Sequence, residues 1–237
     1  VARKLHVKTG DKLALTVSGG MLSFSIPYVG DVMLYEEGSE VAQGFGDAAS
    51  VVKEDGTADD SDPLSGKTIL WMGSSVTFGM MSNGYSMADY IAENHAGNKS
   101  IKYAISGTTL VNDAMKGDSY VERLENDVWE GYDDEIDLVI IQLSTNDASN
   151  GKPLGTLSES TDRADFDVTT ITGAEEYLIS YAKERWGCDV VFYTGSYYEA
   201  PAYAEMVEGI KKVCDKWDAG LVNLWDNQEM TGIYGTD

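Results

Sequence analysis

The chain has few residues of the kinds that build disulfide-rich or metal-binding proteins. It contains two cysteines, Cys188 and Cys214, and two histidines, His6 and His95, among 237 residues. Two cysteines do not form a disulfide framework, and we expect both to be buried small apolar residues, because one opens a predicted strand and the other lies in a predicted helix. Neither histidine belongs to an HxH or HExxH pattern, so we expect no metal site and no cofactor.

Long apolar runs and an excess of positive charge are missing as well. No apolar stretch approaches the roughly 18–20 residues needed to cross a bilayer. The net charge is −23, and the isoelectric point is near 4.2. Such a charge repels phosphate backbones and anionic membrane surfaces, so nucleic acid is not expected as a partner. The chain begins at Val1 without a hydrophobic leader, and at this stage a cytoplasmic location is favoured over secretion.

The pattern of the chain changes near residue 65. Before it, residues 12–17 and 21–28 are predicted strands of a hairpin, and residues 32–35 could add another strand. Residues 54–65 are acidic and polar, which is typical of a linker or mobile loop.

We therefore divide the chain into residues 1–65, a β appendage with its acidic linker, and residues 66–237, the main domain. Unpaired strand edges in the appendage would let it form a homodimer, which we keep as a hypothesis about assembly.

Strands and helices alternate from Lys67 onward. The predicted strands are largely apolar, as expected of a parallel sheet covered on both faces: residues 68–72, 101–105, 137–143, 190–194 and 221–225. The predicted helices between them are residues 86–94, 120–129, 173–186 and 201–217. This alternation predicts an α/β doubly wound three-layer sandwich with five parallel strands. Ligands of such sheets bind beyond the carboxyl ends of the strands.

Three successive predicted strands end in residues that suit a reaction with an oxyanion intermediate. Ser75 follows the first strand, where a serine at the sheet edge suits a nucleophile, although Gly-Ser-Ser is also an ordinary turn and helix cap. Gly107 follows the second strand, and a glycine lets a backbone N–H approach a ligand closely, although it also suits a tight turn. Asn146 follows the third strand and could donate its side-chain N–H to an oxyanion, although Asn is a common turn residue. Together, the three predict one site.

The order Gly73-Ser74-Ser75-Val76-Thr77, then Gly107, then Ser144-Thr145-Asn146-Asp147 resembles blocks I, II and III of the SGNH hydrolases, also called the GDSL esterase/lipase family. The resemblance covers roughly residues 67–237. It implies a flavodoxin-like α/β/α fold and hydrolysis of ester or thioester bonds by a Ser-His-Asp triad.

The resemblance also implies roles for individual residues. Ser75 would be the nucleophile, and its backbone N–H, that of Gly107 and the side chain of Asn146 would form the oxyanion hole. Two positions depart from the family pattern. Ser74 stands where the family most often has Asp, and Ser144 stands where block III often has Gly.

The family's fourth block, Asp-x-x-His near the C-terminus, has no complete counterpart here. No histidine follows the fifth predicted strand. Asp237 is either the acid of that motif, with its histidine beyond the last residue, or part of the loop before it. Members of the family continue into a last helix, so we expect the chain to be cut short. We assign neither His95, at the end of the first predicted helix, nor His6, in the appendage, to the site.

Two further regions could border the site. Residues 148–170 are long, polar and rich in turn formers, which is typical either of a loop on the substrate side or of disorder. Tyr193, Tyr197, Tyr198 and Tyr203 lie at and after the end of the fourth predicted strand. They could line a pocket and stack on a sugar or acyl group, or be ordinary half-buried tyrosines.

The sequence leaves three functions open. The favoured one is a serine esterase that acts on a small-molecule ester, either a short-chain acyl or an acetyl ester, with acetylated carbohydrates included. The alternative is a non-catalytic binding module that kept the fold and lost the base. The third is a flavodoxin-like nucleotide or phosphate binder, which is disfavoured because the first loop lacks the GxGxxG spacing and a P-loop lysine.

Overall fold

The computed structural model describes residues 56–112, 117–126, 135–227 and residue 229 with their side chains, and five strands between residues 3 and 53 by their backbone. The chain divides into two compact units, Val1–Gly46 and Asp47–Asp237. Each unit has its own sheet structure, so each is described by itself.

The described strands of the first unit form two antiparallel pairs. They are β1 (Arg3–Val7), β2 (Lys12–Val17), β3 (Gly20–Ser25) and β4 (Gly30–Leu34). β2 pairs with β3 from Lys12 opposite Ser25 to Val17 opposite Gly20, which confirms the predicted hairpin. β1 pairs with β4.

The second unit is built on a six-stranded sheet. Its strands are β5 (Ser50–Lys53), β6 (Thr68–Gly73), β7 (Lys99–Ala104), β8 (Leu138–Gln142), β9 (Asp189–Tyr193) and β10 (Gly220–Val222). Their order across the sheet is β10-β9-β8-β6-β7-β5, and all pairs are parallel except β5 with β7. Counted along the chain, the five parallel strands stand in the order 2-1-3-4-5, which is the flavodoxin-like arrangement. The predicted fold class is confirmed.

The segment assigned to the appendage and linker differs from its prediction. β5 joins the main sheet, with Ser50 opposite Lys102 and Lys53 opposite Lys99. Residues 56–65 form turns that pack onto the main unit, where Ser65 Oγ accepts from Asp59 N at 2.7 Å and donates to Ala96 O at 2.5 Å. Asp59 and Asp62 stabilise these turns by accepting from Ser61 N at 2.9 Å and Leu64 N at 3.0 Å. The compact unit begins near residue 47 rather than at 66.

The described part of the main unit contains six α-helices. They are α1 (Ser75–Phe78), α2 (Met87–Asn94), α3 (Tyr120–Asn126), α4 (Thr145–Ser149), α5 (Ile171–Trp186) and α6 (Pro201–Trp217). Their ends follow from local chemistry: Ser86 and Thr170 accept from first-turn amides of α2 and α5, and Pro201 occupies the first turn of α6, as expected. No helix in the described part of the chain is long and apolar enough to cross a membrane.

Apolar residues of β6 point alternately to the two faces of the sheet. Ile69 and Trp71 pack with Ala88 of α2 on one face, whereas Leu70 and Met72 join the larger cluster on the other face. This alternation follows from the two-residue period of a strand, and it explains why both faces of β6 are apolar. Packing on both faces therefore holds β6 at the centre of the sheet. It also fixes the position at which the following loop leaves the sheet.

The long polar segment 148–170 is ordered. Lys216 of α6 donates its Nζ to Ser158 O at 2.8 Å and to Ser160 O at 2.6 Å, and the ring of Phe166 packs edge-on against Trp217. Lys216 and Trp217 end the helix that precedes β10, so this middle part lies towards the amino ends of the strands. The expectation of disorder is wrong, and both ends of the segment lie towards the carboxyl edge, where Val168 O accepts from Asn112 N at 3.0 Å.

Several titratable groups are buried in the core. Cys188 and Cys214 are free and buried, as expected, and burial raises their pKa to about 11 and about 12. Glu176 is fully buried but paired, since it accepts from Lys216 Nζ and from Trp217 Nε1. Glu175 is also fully buried, and neither of its carboxyl oxygens has a hydrogen-bond partner in the described part of the chain. Its pKa is raised well above the ordinary value, chiefly by burial and then by the charges of Asp147 and Glu176.

We expect Glu175→Gln to make the stability of the protein less dependent on pH. A carboxyl whose folded-state pKa exceeds its unfolded value binds a proton that the unfolded chain releases, so the free energy of unfolding falls as pH rises between the two values. The free energies of unfolding of wild type and variant should differ least at and below about pH 4, where the carboxyl is protonated in both states. Above that pH the variant should gain on wild type by up to about 1.4 kcal/mol per pH unit until the folded pKa is passed.

Urea unfolding at several pH values measures this difference. Glu176→Gln is the matched control, because it weakens a buried pair with Lys216 and should lower the stability at each pH. A difference between Glu175→Gln and wild type that stays constant with pH would contradict the predicted protonation of Glu175.

Candidate active site

Ser75 lies at the turn where the central strand β6 runs into α1. It is the first residue of α1 and is half-buried. The turn requires glycine at position 73, because a Cβ there would lie 1.7 Å from Thr77 Oγ1. The close approach of Thr77 explains this glycine, whose backbone is not in the left-handed region.

The side chain of Gln142, at the end of β8, holds this turn. Its Oε1 accepts from Ser74 N at 3.0 Å, from Thr77 N at 3.2 Å and from Thr77 Oγ1 at 2.7 Å. These amides belong to the first turn of α1 and have no partners within the helix. Gln142 Nε2 in turn donates to Ser74 Oγ at 3.2 Å, which gives the serine at position 74 a defined role. Sequence reasoning missed Gln142, because nothing in its neighbourhood indicates a partner 65 to 68 residues away.

Tyr193, at the end of β9, completes the support of the turn. Thr77 Oγ1 donates its proton to Gln142, so the hydrogen bond of 2.6 Å between Tyr193 OH and Thr77 Oγ1 is donated by Tyr193. Tyr193 is buried, and burial raises the pKa of its hydroxyl. Tyr193 therefore supports the turn from the protein interior. It does not line an open pocket, so the expectation that it could contact a ligand is wrong for this tyrosine.

Gly107 lies on the loop that follows β7. Its φ is +86°, in the left-handed region, and its position is exposed with no atom within 4 Å of a built Cβ. Glycine is favoured here by backbone conformation rather than by crowding. The next residue, Thr108, is buried and closes the turn through a hydrogen bond from its N to Ile105 O at 3.3 Å.

Asn146 lies in the first turn of α4, directly after β8. Its Nδ2 donates to Thr108 O at 2.7 Å, so the third loop is tied to the second. Ser144 caps α4 by accepting from Asn146 N at 3.2 Å, which gives a physical reason for serine where glycine is common in block III. An amide nitrogen carries two hydrogens, so Nδ2 of Asn146 retains one donor beyond its bond to Thr108.

Asp147, next to Asn146, fixes the Gly107 loop from the other side. It is fully buried, and its Oδ2 and Oδ1 accept from Leu110 N at 2.8 Å and Val111 N at 3.2 Å. Burial raises the pKa of Asp147 although both amides favour the charged form. The carboxylate thus accepts hydrogen bonds from the backbone amides of residues 110 and 111, a role that the sequence analysis did not assign.

The three predicted site residues therefore lie on loops that are joined to one another. β6 and β8 are neighbours at the point where the strand order reverses, which is where ligands bind in sheets of this type. Within the residues that the structure describes, the backbone N–H groups of Ser75 and Gly107 and the hydroxyl of Ser75 have no hydrogen-bond partner. Asn146 adds its second N–H, so each of the three joined loops carries a group that is available to a ligand.

The histidines lie elsewhere. His95 follows α2 and precedes β7, so it is at the amino ends of the strands, opposite to Ser75. Its Nδ1 pairs with Asp62 at 2.7 Å, and the pKa of Asp62 is lowered by the Leu64 amide and then by His95. His6 lies in β1, in the other unit, and its side chain is outside the described part. Asp237 also lies outside the described residues, so its role as the triad acid stays a prediction.

The remaining tyrosines divide into buried and exposed members. Tyr203 is buried and its hydroxyl bridges two backbone groups, accepting from Gly195 N at 2.8 Å and donating to Leu143 O at 3.0 Å. Tyr197 and Tyr198 are exposed and pack on Trp225, with ring centroids 5.0 and 5.3 Å away. These two rings follow β9 at the edge where Ser75 lies, and they are the ones that remain available to a ligand.

An apolar surface follows Ser75 along the chain. Val76, Met80 and Met81 have 54%, 53% and 96% of their surface exposed. The surface of a monomer usually exposes few large apolar side chains to this extent. A contiguous group of them often marks a binding region.

Solved structures with a similar fold include a protein from Lactobacillus plantarum, with a TM-score of 0.52 and 19% identity over 69% of this chain and 79% of that chain. A GDSL-like lipase from Bacteroides ovatus has a TM-score of 0.47 and 20% identity over 68% of this chain and 86% of that one. A carbohydrate acetylesterase from Sinorhizobium meliloti has a TM-score of 0.45 and 15% identity over 66% and 83%. No protein-family model and no curated protein matches the chain. At these identities the likeness extends to the fold alone.

We expect Gln142→Leu to lower the free energy of unfolding by about 1–3 kcal/mol, because the amides of Ser74 and Thr77 lose a buried acceptor. Urea unfolding measures the loss, and hydrogen exchange locates it. The amides of residues 74 and 77 should exchange faster than in wild type, whereas those in the middle of β6 should be unchanged. Equal protection of residues 74 and 77 in both proteins would show that Gln142 does not hold the turn.

Proposed function

We propose that the chain is a serine esterase of the SGNH type with Ser75 as its nucleophile. The observation that carries the proposal is the convergence of three hydrogen-bonded loops at the switch point of the sheet. Within the described residues, the Ser75 hydroxyl and the amides of Ser75 and Gly107 have no hydrogen-bond partner, and Asn146 has one spare N–H. A nucleophile next to several oxyanion donors is the arrangement that acyl transfer needs.

The proposed reaction proceeds through a covalent acyl-enzyme. Ser75 Oγ attacks the ester carbonyl while a base removes its proton, and the carbonyl oxygen becomes an oxyanion. The amides of Ser75 and Gly107 and Nδ2 of Asn146 donate to that oxyanion. Collapse of the intermediate expels the alcohol, which takes the proton from the protonated base. Water then attacks the acyl-enzyme by the same steps and releases the acid.

The substrate we propose is a short-chain acyl or acetyl ester, with acetylated carbohydrates as one class. The exposed rings of Tyr197 and Tyr198 could stack on the apolar face of a sugar or an acyl group. Val76 and Met80 offer apolar contact next to the nucleophile. The net charge of −23 disfavours anionic substrates.

The placement of the histidines favours a second candidate function, a non-catalytic binding module. His95 is paired with Asp62 at the opposite edge, and no histidine follows β10 in these 237 residues. The resemblance to SGNH hydrolases predicts an Asp-x-x-His sequence around or after Asp237. A reading frame with no histidine shortly after codon 237 would favour the binding module, and one with this motif would favour the enzyme.

We expect Ser75→Ala to abolish hydrolysis of p-nitrophenyl acetate, because a side chain without a hydroxyl cannot form the acyl-enzyme. The rates are measured on the protein encoded by the complete reading frame. Ser82→Ala is the matched control, since Ser82 is an exposed serine close in sequence and should leave the rate unchanged. Equal rates for wild type and Ser75→Ala would refute the proposal.

We expect Asn146→Ala to lower kcat by about 10²–10³-fold with a smaller effect on KM, because it removes a donor whose bond strengthens as the oxyanion forms. Asn150→Ala provides the comparison. Asn150 ends α4 and is exposed, so its loss should not change kcat. A similar kcat for the two variants would remove Asn146 from the oxyanion hole.

A further inference from the structure

We infer that Arg123, in α3, is a positioning residue for the proposed reaction. Its guanidinium fixes the turn that carries Ser75 relative to the loop that carries Gly107. The inference rests on the proposed function for its chemical meaning, and on the geometry of buried hydrogen bonds for its physical basis.

Arg123 is a buried cation, with 1% of its surface exposed. Transfer of a guanidinium from water to the interior of a protein costs several kcal/mol unless its N–H groups find acceptors there. A leucine at the same position would avoid this cost. The arginine is therefore retained against a penalty, and its contacts indicate what it does.

The guanidinium donates to the backbone at the ends of two neighbouring strands. Nη2 donates to Gly73 O at 3.0 Å, and Nη1 donates to Tyr103 O at 3.1 Å. Gly73 is the last residue of β6, and its strand partner Ala104 directly follows Tyr103. A single planar group thus spans the carboxyl ends of β6 and β7, two residues before Ser75.

The same guanidinium continues into the Gly107 loop. Nη2 also donates to Thr108 Oγ1 at 3.3 Å, and that hydroxyl donates its own proton to Ile105 O at 2.8 Å. Thr108 O accepts from Asn146 Nδ2 at 2.7 Å. The sequence of contacts from Gly73 through Arg123 and Thr108 to Asn146 therefore links all three loops that carry the proposed nucleophile and oxyanion donors.

One further hydrogen bond and two aromatic rings fix the orientation of the guanidinium. Its Nε donates to Asp118 O at 3.1 Å, and its carbon lies 4.8 Å from the ring centroid of Tyr103 and 5.1 Å from that of Tyr120. Arginine presents several donors in one plane and stacks on aromatic rings, whereas lysine offers a point charge without a plane. Lysine at position 123 could keep the positive charge but not the simultaneous contacts to Gly73, Tyr103 and Thr108.

A positioning role and a purely structural role predict different kinetics. A structural defect lowers the fraction of folded enzyme and leaves kcat per folded molecule unchanged. A shift of the Ser75 turn relative to the oxyanion donors impairs the transition state more than substrate binding, so kcat falls while KM changes little.

The test compares Arg123→Lys with Arg163→Lys. Arg163 also stacks on two tyrosine rings, Tyr177 and Tyr181, with its carbon 5.5 and 5.1 Å from their centroids, and it pairs with Glu184 at 2.9 Å. Both variants are made in the protein from the complete reading frame, and kinetic constants are normalised to the folded fraction. We expect kcat for p-nitrophenyl acetate to fall on the order of 10²-fold in Arg123→Lys, with KM changed by less than about threefold, and neither constant to change in Arg163→Lys.

A second variant guards against loss of folding. Arg123→Ala should be at least partly restored in kcat by added guanidinium ion at concentrations that leave the fold intact, and should not be restored by ammonium at the same ionic strength. A folded Arg123→Lys protein with wild-type kcat, or an equal loss in Arg163→Lys, would overturn the inference.

Hydrogen exchange separates failure of the inference from failure of the proposed function. In Arg123→Lys the amides of Ile105 and Thr108 should exchange faster, whereas those of β8 should not. If wild type shows no hydrolysis that depends on Ser75, the proposed function is wrong, and unchanged exchange at residues 105 and 108 would separately show that Arg123 does not hold the loop. If Ser75-dependent hydrolysis is present and both kcat and exchange are insensitive to Arg123, only the inference is wrong.

Discussion

The carboxyl ends of parallel strands leave backbone groups without partners at the point where each chain segment departs from the sheet, and buried groups of this kind must be satisfied. Side chains from distant segments satisfy them in this protein. Arg123 donates to Tyr103 O and adds a second donor to Gly73 O, which also accepts from Ile105 N at 3.3 Å. Gln142 accepts from the amides of Ser74 and Thr77. Because these side chains are themselves buried, each fixes two segments at once. The positions of the loops at this edge therefore follow from the need to pair the strand ends.

The same edge is costly in electrostatic terms. Asp147 is buried and holds two amides of the Gly107 loop, and Glu175 is buried behind it without a hydrogen-bond partner in the described part of the chain. Two carboxyl groups near one another in a medium of low dielectric constant resist simultaneous ionisation. The buried carboxyl groups at this edge thus lower the stability of the protein, while Asp147 holds the Gly107 loop in place. Proteins commonly retain such unfavourable groups next to functional sites.

Patterns within short stretches of sequence predict a large part of this architecture. The apolar strands, the hairpin of β2 and β3 and the start of α6 at Pro201 all follow from local signals, and the positions of Ser75 and Asn146 follow from the ends of those strands. Arg123, Gln142 and Asp147 could not be predicted this way, because their partners depend on the folded sheet. Those of Arg123 lie up to 50 residues away, and those of Gln142 and Asp147 lie 36 to 68 residues away. β5 was missed for a related reason, since its pairing with β7 is decided by an open strand edge and not by its own four residues.

Gln142 has a consequence for the order in which the protein is made. The turn around Ser75 is translated early, but the acceptor for Thr77 N arrives 65 residues later. At ribosomal rates of about 5–20 residues per second, this interval lasts roughly 3–13 seconds. During that time a nascent chain can pair β6 with β7 but has no cap for α1. The turn that carries Ser75 is therefore completed only when β8 emerges and docks, so an incomplete polypeptide does not hold Ser75 as the folded protein does.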